Sequence, residues 1–521
     1  MNFLRDTPVL VLGLGDSGLA MARWCVRCGA NVTVWDSRDA PPHAATLAAE
    51  LPAVPLLGGA LGIEGLQGQQ LILKSPGLSP HDPRIAALLT AACATGIAVL
   101  GELDLFVRAL ADLKEAQGYA PQILAITGTN GKTTTTAMTA LLVARAGKRV
   151  ATAGNIGPTL LDTLTSQLNG ASEELAEVWV LELSSFQLDN VRGFEPSAAA
   201  VLNITQDHLD WHGSMAAYTT AKARVFGAHA VMVVNRDDAA VEALVPRPPG
   251  PPHSPAAKVK PKDRVPERSV VRFSLQAPRR PGDFGLVTEN GMAWLVRALP
   301  SDDSFKRKKG EEEEIHLQHL MPADALRVRG RHNAANALAA LALATAIGCP
   351  LAPMLHGLRE YTGEPHRVQF VARVAEVDAY DDSKGTNVGA TVAALEGLGA
   401  EQAPGKLVVI LGGDGKGQDF TPLSVPLNRY ARAVATLGRD AAAIEAVLGG
   451  VLGGVPGGVH FQRHDTLQAA VAWCFEQALP GDAVLLSPAC ASLDMFSNYA
   501  HRAQVFVQAV QALAAESGVL V

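Results

Sequence analysis

Strand-like apolar runs alternate with helix-like segments along nearly the whole chain, and this alternation constrains the fold more than any other feature. When a helix follows each strand, consecutive strands can lie parallel, with helices covering both faces of the sheet. The 521 residues also exceed what one hydrophobic core usually supports. We therefore predict an α/β protein with more than one domain and mainly parallel sheets.

Two changes in the pattern mark the predicted domain boundaries. A polar helical stretch follows Phe106 and leads into a new strand-like run, "QILAIT". The alternation restarts beyond Thr362, after an Ala-rich helix, with the strand-like runs "VDAYDD", "KLVVILGG", "AVATLG" and "AVLLSP". The predicted domains are 1–106, 107–362 and 363–521. We also expect a strand in Gly96–Phe106.

Two segments of the second predicted domain do not fit the alternation. Residues 245–268 are rich in proline and basic side chains, which predicts a disordered surface insertion. Residues 301–316 set a basic block beside an acidic one, which predicts a solvated loop. A regulatory contact is the alternative for both. Between them, "FGLVTENGMAWLV" predicts a β-hairpin that turns at Asn290 and Gly291.

Charge and cysteine content exclude several classes of protein. The formal charge of −7 argues against a nucleic-acid or membrane-surface partner. No apolar run approaches the roughly 20 residues needed to cross a bilayer, and the first residues lead directly into a strand rather than a cleaved signal. Cys25 and Cys28 lack the second pair that a zinc site requires, which predicts packing residues in a reducing, cytoplasmic compartment.

The first glycine-rich turn lies between an apolar run and a helical pattern, Val9 to Trp24. Gly13, Gly15 and Gly18 form Gly-x-Gly-x-x-Gly, and Asp36 closes the next strand where a ribose-binding acid is expected. This pattern predicts a Rossmann-like domain. Taken alone, it would indicate an NAD-dependent oxidoreductase.

A second glycine-rich turn lies in "ILAITGTNGKTTTTAM". The strand ends at Thr127, Gly128 to Gly131 form the turn, and Lys132 opens a helix. Backbone N–H groups at such a turn cradle phosphate oxygens, a lysine neutralises the β- and γ-phosphates, and a hydroxyl such as that of Thr133 holds magnesium. The pattern predicts a P-loop ATPase-type central domain, although the two glycines are closer together than in the strict Walker motif.

Acids and histidines follow this loop. Glu182 ends the strand-like run in "VWVLELSSFQL", where its carboxylate would reach the same magnesium ion. "NITQDHLDWHG" adds Asp207, His208, Asp210 and His212, which alone are compatible with a hydrolytic metal site or a polar loop. We expect a structural role for His212.

Ten motifs follow one another in the order found in the Mur ligase family, which the chain resembles over essentially its whole length except the two insertions. The last four resemble the D-glutamate-adding branch of that family. The motifs are "GTNGKTT", "GNIG", "LELSSFQL", "DHLDWHG", "YTTAKARVF", "GRHNAANALAA", "PHR", "DDSKGTN", "GGDGKGQDF" and "SPACASLDMF". The resemblance implies three α/β domains, the first and third Rossmann-like, and a monomeric cytoplasmic ligase of peptidoglycan synthesis.

In such a ligase, ATP phosphorylates the carboxylate of UDP-N-acetylmuramoyl-L-alanine and D-glutamate then attacks the acyl phosphate. The resemblance implies that the nucleotide sugar is bound by Asp16, Ser17, Asp36, Ser37, Arg38, Gly77 and Asn155. It implies that ATP is bound by Gly128, Thr129, Asn130, Gly131, Lys132, Thr133, Thr134, Asn333, Asn336, Arg367 and Asp382. It implies a D-glutamate pocket of Lys384, Thr386, Lys416, Ser492, Leu493 and Tyr499, the last at a position where the family often has phenylalanine.

The resemblance also implies catalytic roles for Lys132, His208 and Lys222, and two magnesium ions. Thr133 and Glu182 would hold the first ion, and His208 and Lys222 the second. Lys222 is a ligand only if it is carbamylated, and the His208–Lys222 spacing is one residue shorter than is usual in the family. The general base for the attacking ammonium is not fixed by these residues.

Four alternatives are compatible with parts of the sequence. Folylpolyglutamate synthetase is a relative, but the intact uridine-type first domain argues against it. The diaminopimelate-adding branch would carry an Asp-Asn-Pro-Arg stretch that the third domain lacks. An NAD enzyme leaves the Lys132 loop unused, and a non-catalytic nucleotide-binding scaffold leaves the acids after that loop unexplained.

Overall fold

The computed structural model describes residues 2–171, 174–246, 268–301, 314–328, 330–452 and 459–516. Three β-sheets follow one another along the chain. The predicted insertion 245–268 lies outside the described residues except at its ends, as does most of 301–316. His316 at the end of the second segment lies in a strand rather than a loop.

The N-terminal sheet is five-stranded, and all its strands are parallel. Its order is β3-β2-β1-β4-β5, with the strand order reversing on either side of β1. The elements are β1 (Pro8–Leu12), α1 (Asp16–Arg27), β2 (Asn31–Trp35), α2 (Ala44–Glu50), β3 (Leu56–Leu57), β4 (Leu71–Lys74), α3 (Ala86–Thr95), β5 (Ala98–Leu100) and α4 (Glu102–Gln117).

The first glycine-rich turn connects β1 to α1 as predicted. A Cβ atom at Gly18 would lie 1.9 Å from the carbonyl oxygen of Gly13, so only glycine lets the helix approach the strand this closely. Cys25 packs in the buried face of α1, and no two cysteines among the described residues form a disulfide.

The central sheet has nine strands in the order β14-β13-β12-β11-β10-β9-β6-β8-β7. Its elements are β6 (Gln122–Thr127), α5 (Lys132–Arg145), β7 (Val150–Gly154), α6 (Leu160–Asn169), β8 (Val178–Glu182), α7 (Ser185–Leu188), β9 (Ala198–Val201), α8 (Leu209–His212), α9 (Met215–Ala223), β10 (Val231–Asn235), α10 (Ala239–Glu242), β11 (Val270–Phe273), β12 (Phe284–Glu289), β13 (Met292–Pro300), β14 (Ile315–Pro322), α11 (Arg331–Ala346) and α12 (Leu351–Glu360).

This sheet is mixed rather than wholly parallel. Strands β12, β13 and β14 are antiparallel neighbours at one edge. The β12–β13 hairpin turns at Asn290 and Gly291 as predicted, and both residues have positive φ, as a two-residue hairpin turn requires. The Ala-rich helix α11 is buried along most of its length against α5, because its small side chains allow close packing.

The C-terminal sheet has six strands in the order β15-β16-β20-β17-β18-β19, with only β15 antiparallel to its neighbour. Its elements are β15 (Gln369–Val374), β16 (Val377–Asp381), α13 (Val388–Gln402), β17 (Leu407–Gly412), α14 (Ser424–Tyr430), β18 (Ala431–Leu437), α15 (Ala441–Leu452), β19 (His460–Arg463), α16 (Leu467–Gln477), β20 (Ala483–Leu486) and α17 (Tyr499–Glu516). The four strands predicted from the restarted alternation are present here.

Helix α4 joins the first sheet to the second. The segment predicted as a strand over Gly96–Phe106 is a strand only over β5, and α4 begins at Glu102. The boundary predicted at Phe106 therefore falls inside a helix, whereas Thr362 lies in the connection between α12 and β15. Leu105, Phe106, Leu110 and Leu113 of α4 are buried in one apolar cluster shared by the two sheets.

The buried carboxyl of Glu102 at the start of α4 receives the backbone N–H of Leu161, at the start of α6, at 3.0 Å. Burial raises the pKa of Glu102 to about 7, above its ordinary value of 4.5. Because the native state keeps this proton up to a higher pH than the unfolded chain does, the stability falls as the pH rises from 4.5 to about 7.

We expect Glu102→Gln to raise the free energy of unfolding by about 1–3 kcal/mol at about pH 8 and to change it little at about pH 4. Glutamine keeps an acceptor for Leu161 and removes the charge. Urea unfolding at both pH values measures this effect. Glu115→Gln, on the exposed face of the same helix, is the control. An equal effect of Glu102→Gln at the two pH values would contradict the assignment.

No helix within the described ranges is both long and apolar enough to cross a membrane.

Candidate active site

The second glycine-rich turn lies at the centre of the site. Strand β6 delivers it, Gly128 and Gly131 have positive φ, and the N-terminus of the 14-residue helix α5 follows. The Nζ of Lys132 donates to the carbonyl oxygens of Gly128 (3.0 Å) and Thr129 (2.8 Å), so the ammonium is held over the loop. Burial lowers the pKa of Lys132, opposed by the nearby carboxylates of Glu182 and Asp207. The loop and the helix N-terminus have the strand-turn-helix geometry in which backbone N–H groups cradle phosphate oxygens.

Lys222 lies behind this loop and is 2% exposed. Its Nζ donates to the Gly128 carbonyl at 2.8 Å and lies 4.6 Å from the centre of the Tyr218 ring. The Tyr218 hydroxyl is 3.1 Å from Thr129 Oγ1. Burial, followed by the charge of Lys132, lowers the pKa of Lys222 well below its ordinary value. The side chain is therefore inclined to lose its proton.

Glu182 ends β8 at the same edge of the sheet, as predicted. Its Oε1 accepts a hydrogen bond from Asn155 Nδ2 at 2.9 Å, whereas Oε2 is buried and has no hydrogen-bond partner among the described residues. An unpartnered buried carboxylate oxygen costs free energy unless a cation or donor meets it. This oxygen and the hydroxyl of Thr133 are donors of the kind that Mg²⁺ prefers, so the residues fit the expected metal.

His208 follows β9 with a left-handed backbone, φ 53°, and its ring packs edge-on against Phe186. Burial lowers the pKa of His208 to about 4, opposed by Asp207, so the ring is the neutral form that ligates metals. His212 bonds instead to Ser185 Oγ at 2.9 Å inside a cluster of aromatic rings, which is the structural role that we predicted. No three His, Cys, Asp or Glu side chains among the described residues cluster as a metal site by themselves.

The C-terminal domain contacts the phosphate loop directly. Asn130 and Asn387 exchange two side-chain amide hydrogen bonds, at 3.1 and 2.9 Å. Lys384 Nζ donates to Thr133 Oγ1 at 3.1 Å, so this lysine, predicted for the D-glutamate pocket, also lies beside the predicted metal ligand. Asn387 had no predicted role, and only its place in the motif "GTN" points to it.

A cleft of about 960 Å³ runs between the central and C-terminal domains. Asn336 Nδ2 donates to Asn333 Oδ1 at 3.1 Å on the face of α11 that borders the cleft. Burial raises the pKa of Asp382 to about 7, and Ser487 Oγ donates to this carboxyl at 2.7 Å. Of the eleven residues predicted for ATP, the cleft is lined by Asn130, Gly131, Thr134, Asn333, Asn336, Arg367 and Asp382.

The residues predicted for D-glutamate lie after β16, β17 and β20, at the carboxyl edge of the C-terminal sheet. Lys416 has φ 51°, and a two-way backbone pairing of Asp414 with Ala491 (3.0 and 2.9 Å) holds its loop beside Ser492. Leu493 is 71% exposed. Tyr499 begins α17, with Lys384 Nζ 5.6 Å from its ring centre. Thr386 N donates to the Lys384 carbonyl within the same turn.

The residues predicted for the uridine end surround the first glycine-rich turn. Asp36 directly follows β2, and its carboxylate accepts from Leu14 N at 2.7 Å and from the Arg38 guanidinium at 2.7 and 2.9 Å. Although burial opposes it, this bonding lowers the pKa of Asp36 to about 2. Asp16 and Ser17 both lie at the start of α1, and the Asp16 carboxylate is 2.7 Å from His43 Nε2. Gly77 lies in the loop after β4.

Ser37 Oγ accepts from Arg84 at 2.8 Å, which adds Arg84 to the candidates in this region. Sequence reasoning missed Arg84, because the local pattern Asp82-x-Arg84 indicates only a turn closed by an ion pair between these two residues.

Family models match three parts of the chain. Residues 7–101 match the Mur ligase MurD-like N-terminal domain, residues 126–254 the Mur ligase middle domain, and residues 366–490 the Mur ligase glutamate ligase domain.

Several curated relatives match over nearly the full chain. The UDP-N-acetylmuramoylalanine–D-glutamate ligase of Albidiferax ferrireducens is 60% identical, over 99% of this chain and 98% of the relative. The proteins of that name from Polaromonas sp. and Burkholderia mallei are 50% identical, over 100% of both chains, and 55% identical, over 99% of both.

Two solved structures share the fold. The MurF ligase from Thermotoga maritima in complex with ADP matches with a TM-score of 0.56 at 15% identity. The match covers 98% of this chain and 96% of the MurF chain. A pseudomurein peptide ligase type C from Methanothermus fervidus has a TM-score of 0.51 at 16% identity, over 97% of this chain and 100% of its own.

Three consecutive α/β domains, with a phosphate loop facing the third, define a nucleotide-dependent enzyme of the phosphate-loop class. The family models and the relatives specify which one. The chain belongs to the Mur ligase family and is of the MurD type within it.

Proposed function

We propose that this chain joins D-glutamate to UDP-N-acetylmuramoyl-L-alanine with the conversion of ATP to ADP and phosphate, in the synthesis of peptidoglycan precursors. The identity of 50–60% over the full chain to relatives named for this activity is the observation that carries the proposal. The geometry supports it, because Lys384 of the C-terminal domain reaches Thr133 beside the phosphate loop, and a cleft lined by both domains lies next to that loop.

ATP would lie in this cleft, with its phosphates on the loop at Gly128–Gly131 and its base towards Asn333 and Asn336. Lys132 and the N-terminus of α5 would attract the β- and γ-phosphates. The carboxylate of the nucleotide sugar would attack the γ-phosphorus to form an acyl phosphate. Because both reactants are anions, the site must supply positive charge and exclude water at this point.

Thr133 and Glu182 would hold one magnesium ion, and His208 and a carbamylated Lys222 a second. Magnesium supplies positive charge that offsets the repulsion between carboxylate and phosphate. The burial of Lys222 supports the carbamylation, because an uncharged lysine amine is the form that reacts with carbon dioxide. Asn155 positions the Glu182 carboxylate by its hydrogen bond and would also face the muramoyl group.

The nucleotide sugar would lie along the first glycine-rich turn, with Asp16, Ser17, Asp36, Ser37, Arg38 and Gly77 around the uridine diphosphate. We expect Asp36→Ala to raise KM for the nucleotide sugar about 10-fold or more with little change in kcat, because this end is remote from the reacting carboxylate. Steady-state kinetics at saturating ATP and D-glutamate measure the effect. Asp39→Ala, an exposed neighbour, is the control. A fall in kcat at unchanged KM would contradict the placement.

D-glutamate would be bound by Lys384, Thr386, Lys416, Ser492, Leu493 and Tyr499, since its two carboxylates need cationic and hydroxyl partners. Because the substrates are held by different domains of one chain, we expect a monomer to be active. Cysteines that form no disulfide among the described residues support a reducing, cytoplasmic location.

The decisive test is magnesium-dependent phosphate release from ATP with UDP-N-acetylmuramoyl-L-alanine and, in turn, D-glutamate, L-glutamate, L-alanine or L-lysine. We expect release only with D-glutamate, together with the mass increase of one glutamyl residue on the nucleotide. Phosphate release with another amino acid instead would contradict D-glutamate as the substrate but would support the ATP-dependent ligase chemistry. No release from folded protein that binds ATP would contradict the proposal and favour a scaffold.

A further inference from the structure

The mechanism above leaves one chemical requirement without a residue. D-glutamate arrives as an ammonium ion, which has no lone pair and cannot attack an acyl phosphate until it loses a proton. A side chain that accepts this proton beside the amino-acid pocket would accelerate the attack. His208 and Glu182 are already assigned to metal, and Lys132, Lys384 and Lys416 are assigned as cations to phosphate or carboxylate.

His366 lies in the connection between α12 and β15, next to Arg367, which lines the nucleotide cleft. Its Nδ1 is 2.7 Å from Oδ2 of Asp381, the last residue of β16, whose side chain is fully buried. The other oxygen of that carboxylate accepts from the backbone N–H and the hydroxyl of Ser383, at 2.9 and 2.6 Å. Asp381 is thus fixed and presents one oxygen to the ring.

This contact sets the tautomer of the imidazole. An ionised carboxylate only accepts hydrogen bonds, so in the neutral imidazole Nδ1 carries the hydrogen and Nε2 carries the lone pair. No described residue hydrogen-bonds Nε2, and the side chain is 28% exposed. A histidine oriented by a carboxylate, with its second nitrogen open, is the arrangement that general bases use.

The position of His366 relative to the substrates is also suitable. Its ring lies edge-on to Tyr499, with centroids 6.2 Å apart, and Tyr499 in turn faces Lys384, which reaches Thr133. The ring therefore contacts one residue of the predicted D-glutamate pocket, Tyr499, whose neighbour Lys384 reaches the phosphate loop. His366 also adopts a left-handed backbone, φ 63°, with its N–H bonded to Gln369 Oε1 and its carbonyl to Lys384 N.

We propose that His366, oriented by Asp381, removes the proton from the ammonium group of D-glutamate. This inference rests on the proposed function. Nε2 takes one proton and leaves the amine, whose lone pair forms the C–N bond as the C–O bond to phosphate breaks. The second proton leaves the nitrogen with the departing phosphate, and imidazolium then returns its proton to solvent. Among the described residues, the ionisable side chains of Asp381 and Tyr499 contact the ring, Lys384 Nζ lies over the Tyr499 ring, and Arg502 donates to the Ser383 carbonyl near Asp381.

Hydroxylamine tests this role, because it is unprotonated at neutral pH and traps an acyl phosphate as a hydroxamate without a base. We expect His366→Gln to lower kcat/KM for D-glutamate about 10²–10³-fold at about pH 7. Hydroxamate formation from UDP-N-acetylmuramoyl-L-alanine and ATP should stay near the wild-type rate. The deficit with D-glutamate should shrink towards about pH 9, where more of the amine is free.

Two further variants separate this role from a structural one. Asp381→Asn keeps a hydrogen-bonding partner and removes the charge, so the acidic limb of the kcat/KM profile should move to lower pH and the plateau should fall. His356→Gln, on the exposed side of α12, should leave both reactions unchanged.

Equal loss of the hydroxylamine and D-glutamate reactions in His366→Gln would overturn the proposal, as would no loss of either or a deficit independent of pH. Wild-type protein that forms no hydroxamate and no ligation product would overturn the proposed function as well.

Discussion

Replacement of Lys132 by alanine is expected to lower kcat for ligation about 10²–10³-fold or more, the range for losing a group that stabilises charge in a transition state. Its Nζ is held over the phosphate loop by two carbonyl oxygens of the loop itself. Its environment is partly buried, where water screens the charge poorly.

Phosphate release and product formation, measured at saturating substrates, test this expectation. Lys148→Ala, beyond the opposite end of α5, is the matched control and should retain activity. Near-normal turnover of the Lys132→Ala protein would remove this lysine from the mechanism, whatever the result for nucleotide binding.

Glu182→Gln is expected to lower kcat about 10²-fold and to shift the magnesium dependence to higher concentration. Glutamine can still accept the hydrogen bond from Asn155, so the local structure should persist. What it removes is the negative charge on the buried, unpartnered Oε2. Kinetics over a series of magnesium concentrations distinguish this effect from misfolding.

Glu177→Gln, at the exposed entry to the same strand, is the control for that series and should match the wild type. An unchanged magnesium dependence in Glu182→Gln, with kcat lowered or not, would show that this carboxylate does not hold the metal.

Local patterns in the sequence were sufficient for the parts of the site that lie on one strand-turn-helix unit. The turn at Gly128–Gly131, the placement of Lys132 and the strand end at Glu182 were all predicted, because each depends on neighbours within a few residues. The hairpin at Asn290 was predicted for the same reason.

Two local errors have physical causes. Glu102 and Phe106 were expected in a strand because the segment is apolar, but Asp104 caps the N–H of Gly101 at 2.9 Å and starts α4 there. Strand β14 was not predicted, because its first residues directly follow a charged block that indicates a loop. It pairs antiparallel with β13 at the edge of a sheet that was expected to be parallel.

Contacts between distant segments were beyond sequence reasoning. The amide pair of Asn130 and Asn387 joins residues 257 positions apart, and the carboxylate that orients His366 belongs to a different element. No periodicity in the chain records which loops meet at a sheet edge. These contacts depend on how whole domains pack.

The distribution of the apolar cores bears on how such ligases diversify. One cluster is continuous through helix α4 from the first sheet to the second, whereas the two clusters of the third domain contain only residues from 368 onward. The C-terminal domain meets the rest through polar groups at the phosphate loop and around the adjoining cleft. With D-glutamate bound to the C-terminal domain as proposed, exchange of that domain would alter which amino acid is added without repacking a core, whereas exchange of the first domain would have to rebuild one.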